Sequence, residues 1–256
     1  MNKFIQTNDI YIIDDSIIGF LTLVHTTYKN KRLPEKIYDE LNYKDNIFDS
    51  PVYIKEDINK ALYMKKLIIT KLNENIFNEI SLAILSNNKE KYNIIYDFLY
   101  NAFIHGTKIN YLRTIKSVTD LQKLIKNITR ESHRFKGFIR FSKTSENVFF
   151  AKIKPDNNIL FLVANHFKNR LKNEKWCIID EKRNIGAFYY NNKLQIINNL
   201  EISSVNISKS KEEETYEKLW KQFYKSVNIK ERKNTKCMMN FMPKKYWENI
   251  LEVKNE

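Results

Sequence analysis

Apolar and polar positions alternate in two different ways along this chain. In the first 110 residues the spacing is mostly helical. DIYIID at 9 to 14 is a short apolar run that predicts a strand, and SIIGFLTLVHTTY continues from Ser16 to about Tyr28 as an amphipathic helix. Ser16 stands at the N-cap, where a hydroxyl accepts from a backbone N–H that the first turn leaves free. PVYIKE, at 51 to 56, predicts a second short strand, and Asp57 then caps a long helical region. In it Ala61, Leu62, Leu67, Ile68 and Leu72 recur at three and four, supporting helix to about Leu85. Another helix covers 89 to 104 and ends at Gly106.

The second half changes period. TIKSVTDLQKLIKNITRESHRF is helical in spacing and is expected to stop at Gly137, a residue suited to a left-handed helix end. GFIRF and NVFFAKIKP then read as two strands of a hairpin around the polar turn SKTSE, broken after the second by Pro155 and Asp156. NILFLVANHFKNRL is a helix with a broad apolar face, and KWCIID and IGAFYY are strands around the turn EKRN. Helix returns in EEETYEKLWKQFYKSV, whose acidic first turn suits the helix dipole, and in PKKYWENILE, with Pro243 at its start. The pattern predicts an α+β protein: a mainly helical N-terminal region over 1 to 110, then a basic domain over 111 to 256 with a small antiparallel sheet covered by helices.

Charge sharpens this division. The formal net charge is +14 over 256 residues. Residues 1 to 107 hold 13 Lys and Arg against 14 Asp and Glu, whereas 108 to 183 hold 18 against seven, with six of the eight arginines. Residues 184 to 208 balance, and 209 to 256 carry 12 against eight. A genome-wide preference for Lys would not spare the first 107 residues, so the excess points to a basic face and a polyanionic partner. No run approaches the roughly 18 apolar residues of a membrane span, and the acidic N-terminus does not read as a targeting segment. Cys177 and Cys237 form neither a metal-ligand spacing nor a redox pair, which fits reduced thiols in a cytoplasmic protein.

Four stretches carry candidate chemistry. RESHRFKGFIRF clusters Arg130, Arg134, Lys136 and Arg140 with Phe rings around His133, in a chain that otherwise uses Lys; bidentate phosphate pairing and base stacking call for this combination. Its plainer reading is core Phe and solvated Arg. ANHFKNR places Asn165, His166 and Arg170 within about one helical turn, to hold a phosphate or to make His166 a general acid or base. The alternative is a hydrogen-bonded boundary histidine. In WCIIDEKRN, Asp180 ends a strand and Glu181 follows in a turn with Lys182 and Arg183, carboxylates placed as nucleases place them to hold magnesium or as glycosylases do to activate water, or with Asp180 simply paired to Arg183. NIKERKNTKCMMNFMPKKYW gathers Arg232, Lys233, Lys244 and Lys245 with Met and aromatic residues, with Asn234 as a helix cap. There is no phosphate loop, HExxH, GxSxG or CxxxCxxC pattern, so neither metal nor cofactor is expected.

In order, RESHRFKGFIRF at 130 to 141, AKIKPDNN at 151 to 158, NHFKNR at 165 to 170, WCIIDEKR at 176 to 183, then LWKQFY, IKERKN and MPKKYW carry a resemblance. The chain resembles a family of DNA metabolism proteins known as domain of unknown function 4130, over about residues 110 to 252; the opening IYIIDDSIIGFLTLVH is in the same style. The resemblance implies a role in DNA repair beside a radical SAM protein, and many members are fused to a uracil-DNA glycosylase-like domain; this chain reads as the unfused form. It implies no catalytic residues.

Three readings follow. The first is a DNA-binding component of a repair or base-modification system, gripping phosphate through Arg130, Arg134, Lys136, Arg140, Asn165, Arg170, Lys182, Arg183, Arg232 and Lys233. The second is an enzyme, a nuclease or glycosylase using His166 and Asp180 with His133. The third is an adaptor that docks the radical SAM protein without touching DNA.

Overall fold

A computed structural model describes residues 5–46, 49–201, 208–232 and 234–252. The chain divides into two compact units, Met1–Thr129 and Arg130–Glu256, and the division falls within the long helix Lys116–Phe138. Both α and β elements are present in each unit.

The first unit opens with β1 (Ile5–Gln6), β2 (Ile10–Ile13) and α1 (Ile17–Asn30). Ser16 caps α1 by accepting from the Gly19 N–H at 2.9 Å. β3 (Arg32–Leu33) pairs with β1, while β4 (Lys36–Asp39) and β5 (Val52–Ile54) flank β2 on either side, all parallel. Asp57 caps α2 (Ile58–Lys71). The expected long helix is two, because Asn73 breaks it and caps α3 (Glu74–Ala83) through the Ile76 N–H. α4 (Lys91–His105) ends at Gly106, whose φ of +70° suits a residue without Cβ. Phe20, Met64, Ile68, Ile80, Phe98 and Leu121 form the centre of the core.

Leading into the second unit, α5 (Lys116–Phe138) runs one residue beyond Gly137. Gly137 takes no positive φ, and the Ile139 N–H still donates to the Phe135 carbonyl at 2.9 Å. Packing decides this: Phe135 and Phe138 meet the fully buried ring of Tyr246, centroids 5.0 and 5.1 Å away, which holds the helix past its glycine. GFIRF is therefore not a strand. The hairpin expected here exists, but its first strand is β6 (Ser142–Lys143), paired antiparallel with β7 (Phe149–Ile153).

α6 (Leu160–Arg170) then crosses to β8 (Trp176–Asp180), which pairs parallel to β7. β9 (Ile185–Tyr190) and β10 (Lys193–Ile197) complete a sheet of order β10-β9-β8-β7-β6. The α+β class holds, with partly parallel sheets in place of an antiparallel one. The parallel step is the signature of a helical crossover, since strands joined by α6 enter the sheet in the same sense. β10 follows an Asn191-Asn192 turn with φ of 48 and 61°, the paired positive values of a tight hairpin. Val163, Ala164 and Phe167 of α6 are buried together with Ile178, Ala187 and Trp176 of the sheet. α7 (Lys211–Val227), a short 3-10 turn at Lys230–Arg232, α8 (Thr235–Phe241) and a 3-10 helix at Lys244–Asn249 follow. Asn234 caps α8 by accepting from Cys237 N. Among the described residues, no helix is long and apolar enough to cross a membrane.

Candidate nucleic-acid interface

Two groups of cations in the second unit bear on the candidate residues. One turns inward on the loop after β7. Glu131, on the buried side of α5, accepts from the backbone N–H groups of Asp156 and Asn157 at 3.0 and 2.8 Å, from Asn157 Nδ2 at 2.7 Å and from Lys245 Nζ at 2.9 Å. From the other side Arg183 donates to the carbonyls of Pro155, at 3.1 Å, and of Asp156. The peptide groups of the loop are thus satisfied by side chains where no ladder exists. Lys245 Nζ also meets Asp156 at 2.8 Å, and Lys182 Nζ reaches its other oxygen at 3.4 Å.

Asp180 belongs to this clasp. It is fully buried at the end of β8, accepting from Arg183 Nη1 at 3.1 Å and from the Lys182 N–H at 3.0 Å. Burial pushes its carboxyl above the ordinary range, and Arg183 pulls it back in part. Burial would raise Glu131 too, but its hydrogen bonds from Asn157, Asp156 and Lys245 outweigh that and hold it low. Lys245 is raised: its own burial acts downward, and Asp156 and Glu131 prevail. A planar guanidinium is needed at 183 because one group donates to two carbonyls and a carboxylate at once, which an ammonium could not match in plane.

The second population turns outward. Arg134, Arg130, His133 and Lys136 follow one another around the outer half of α5 in steps of roughly 40 to 60°. Arg130 and His133 are exposed, while Arg134 and Lys136 are half-buried. Lys136 lies near His166 of α6, and so does Arg170; burial first, then these two cations, lower the His166 pKa. A histidine so placed is neutral at pH 7 and stands edge-on to Phe167, with centroids 5.1 Å apart. Among the described residues, no carboxylate forms an ion pair with Arg130, Arg134, Lys136 or Arg170, in contrast to Arg183 and Lys245.

The remaining candidates stand apart from both groups. Arg140 follows α5 in no regular element, its guanidinium 5.8 Å from the Trp220 ring and 3.8 Å from Glu252. Asn165 is half-buried beside His166 on α6. Arg232 is exposed in its 3-10 turn, and Lys233 lies outside the described residues. No hydrogen bond among the described residues joins His166, His133 and Asp180: Asp180 is enclosed in the clasp, and His166 lies on the helix surface. Nor do these residues include a group of three or more His, Cys, Asp or Glu able to hold a metal ion.

Sequence reasoning did not name Glu131 or Asp156 as site residues, and it read Lys245 only as part of a C-terminal docking cluster. A signal was available, since an acid between Arg130 and Ser132 falls on the apolar side of the helix that carries Ile128 and Phe135. Three stretches read as separate candidates, RES, DEKR and PKKYW, meet around a fourth, KPDN, that was read only as a strand break, and the four form the sides of one clasp. A family model described as a domain of unknown function, DUF4130, matches residues 89–252, which is 164 of the 256 residues. The comparison with curated proteins returns no match.

Proposed function

We propose, from the premise that the chain belongs to the DUF4130 family, that it is a DNA-binding component of a DNA repair or base-modification system. The observation that carries this reading is the sorting of cations. Residues 130 to 256 hold 26 Lys and Arg against 15 Asp and Glu, a net of +11, against +3 (18 and 15) for residues 1 to 129. Where the clasp uses carboxylates to neutralise its cations, the outer face of α5 and the end of α6 leave theirs free to meet phosphate. Arg130, Arg134, Lys136 and Arg170 are the grip, with His133 and His166 as hydrogen-bonding groups between them. The partner, a radical SAM protein, is assigned on the family resemblance, and this chain would hold the strand on which that partner acts.

The test is a salt titration. Binding to a duplex and to a single strand should weaken linearly in log K against log salt, by about 0.9 per phosphate neutralised on duplex and about 0.7 on single strands. A flat response, or no retention on DNA at low salt, removes the proposal. The enzyme reading has less support, because Asp180 is shielded from solvent and committed to Arg183. If Asp180→Asn with His166→Ala abolishes turnover of a lesion-bearing duplex yet spares binding, that reading replaces this one.

One observation favours the adaptor reading. α7 has no buried residue, and Tyr216, Leu219, Trp220, Phe223 and Val227 recur on it at three and four while 40 to 69% exposed. Copurification with a radical SAM protein in the absence of nucleic acid would place that interaction first.

A further inference from the structure

The two ends of β7 and β8 differ in chemistry. Their C-terminal ends carry the clasp. At their N-terminal ends, about 13 Å away along four residues of strand, the sheet borders a cavity of about 370 Å³. Phe150, Cys177 and Phe188 are register partners on β7, β8 and β9, so their side chains share one face of the sheet, and all three line the cavity. Tyr190, two residues on from Phe188 and so on the same face, adds another ring, and Thr144, Ser145 and Ser208 bring hydroxyls from the neighbouring turn and strand-like segment.

Besides its hydroxyls, two features of this cavity point to a planar, polar-edged ligand. Its walls are aromatic, which suits a flat ring. Lys175 lies 4.9 Å from the Tyr190 ring centroid and also lines the cavity, placing a cation where an anionic substituent of the ligand would emerge.

We propose that this cavity binds an unstacked nucleobase, with Phe150, Phe188 and Tyr190 supplying ring contacts and Lys175 the contact to its 5′-phosphate. The choice of a nucleobase over another planar ring rests on the nucleic-acid reading of the α5–α6 face. The serine and threonine hydroxyls donate and accept alike, so they tolerate either kind of base edge. The volume lies within the range of small-molecule sites and accommodates a base with its sugar. Cys177 takes no covalent part: burial raises its pKa to about 11, so the thiol stays protonated beside the rings.

The experiment uses the full chain and a free nucleotide, so that it does not depend on DNA binding. 2-Aminopurine deoxyriboside 5′-monophosphate should be quenched on saturable binding in the millimolar range or tighter. Unlabelled deoxynucleoside 5′-monophosphates should compete, and deoxyribose 5-phosphate should not. Tyr190→Ala, at an exposed ring, should weaken binding about tenfold, and Lys175→Ala should weaken the nucleotide more than the nucleoside. Alkylation of Cys177 at alkaline pH should slow with bound nucleotide, with exposed Cys237 unaffected. No quenching at millimolar nucleotide overturns the proposal, as does equal competition by deoxyribose 5-phosphate or unchanged affinity in Tyr190→Ala. If the nucleotide binds but oligonucleotides show no salt-dependent affinity, the cavity stands and the α5–α6 face is what fails; the converse result removes the cavity alone.

Discussion

The clasp around Asp156 and the outer face of α5 are built from the same residue types within a few residues of each other, yet they treat charge in opposite ways. In the clasp, Glu131, Asp156 and Asp180 receive Lys245, Lys182 and Arg183, and the arginine spends its donors on backbone carbonyls. On α5 the neighbours Arg130 and Arg134 are left without carboxylates among the described residues. A basic composition therefore overstates how much cation is available to a ligand. What counts is the charge that the fold does not consume, and Arg130, Arg134, Lys136 and Arg170 are part of it.

This contrast can be broken most strongly from the inside. Arg183→Ala leaves Asp180 buried with one partner fewer and frees two loop carbonyls; breaking such a pair costs about 3–5 kcal/mol, read as a lower midpoint in chemical denaturation. Arg183→Lys should recover only a small part of it. Next is Glu131→Gln, expected to cost about 2–3 kcal/mol at pH 7 from weakened hydrogen bonds to Lys245 and the loop amides.

The same variant tests the pH dependence. Glu131 titrates below its ordinary 4.5 in the folded chain, so its contribution is present above that value and is lost as pH falls through the folded pKa. Asp180 has the opposite sign: its raised pKa makes folding less favourable as pH climbs from the ordinary 3.8 towards the folded value. Glu131→Gln should accordingly flatten the acid limb of stability against pH, and a limb unchanged in slope would show that Glu131 is not held low.

From the outside the effects are on binding. Arg130→Ala, Arg134→Ala and Arg170→Ala combined should reduce the duplex salt slope by about 2.7, at 0.9 for each phosphate no longer neutralised, with little change in thermal midpoint. Lys182→Ala should leave that slope alone if the clasp cations are spoken for. The smallest effect is expected at Gly137. It is exposed, takes no positive φ, and a Cβ there would meet nothing within 4 Å. Gly137→Ala should stabilise the chain by about 0.5–1 kcal/mol without altering the salt slope, and a loss of stability would mean that the helix does not continue through this position.

Local chemistry was legible from the sequence where a side chain acts on its own backbone. Ser16, Asp57 and Asn234 cap their helices as their positions suggest. What escaped depends on partners far along the chain. Gly137 reads as a terminator until Tyr246, 109 positions later, packs on the flanking Phe residues. β7 and β8 read as strands but not as parallel neighbours, although the five consecutive buried residues of β8 mark it as central. β10 was missed although Asn191-Asn192 is a turn signal, because Gly usually stands in such a pair. As for the candidate residues, the sequence brought out Asp180 and Arg183 together as an alternative ion pair, and that is the geometry found. Their joint use with Glu131 and Lys245 was invisible, since nothing local links positions 131, 156, 183 and 245.

The parallel pairing of β7 with β8 also sets an order of events during folding. β8 and β9 are joined by a tight turn and can zip up quickly. β7 reaches its place only after the whole α6 crossover has closed a loop of more than 20 residues, and closure entropy makes such pairings late. The clasp and the aromatic cavity sit at the two ends of that seam, so both are completed together in the last step.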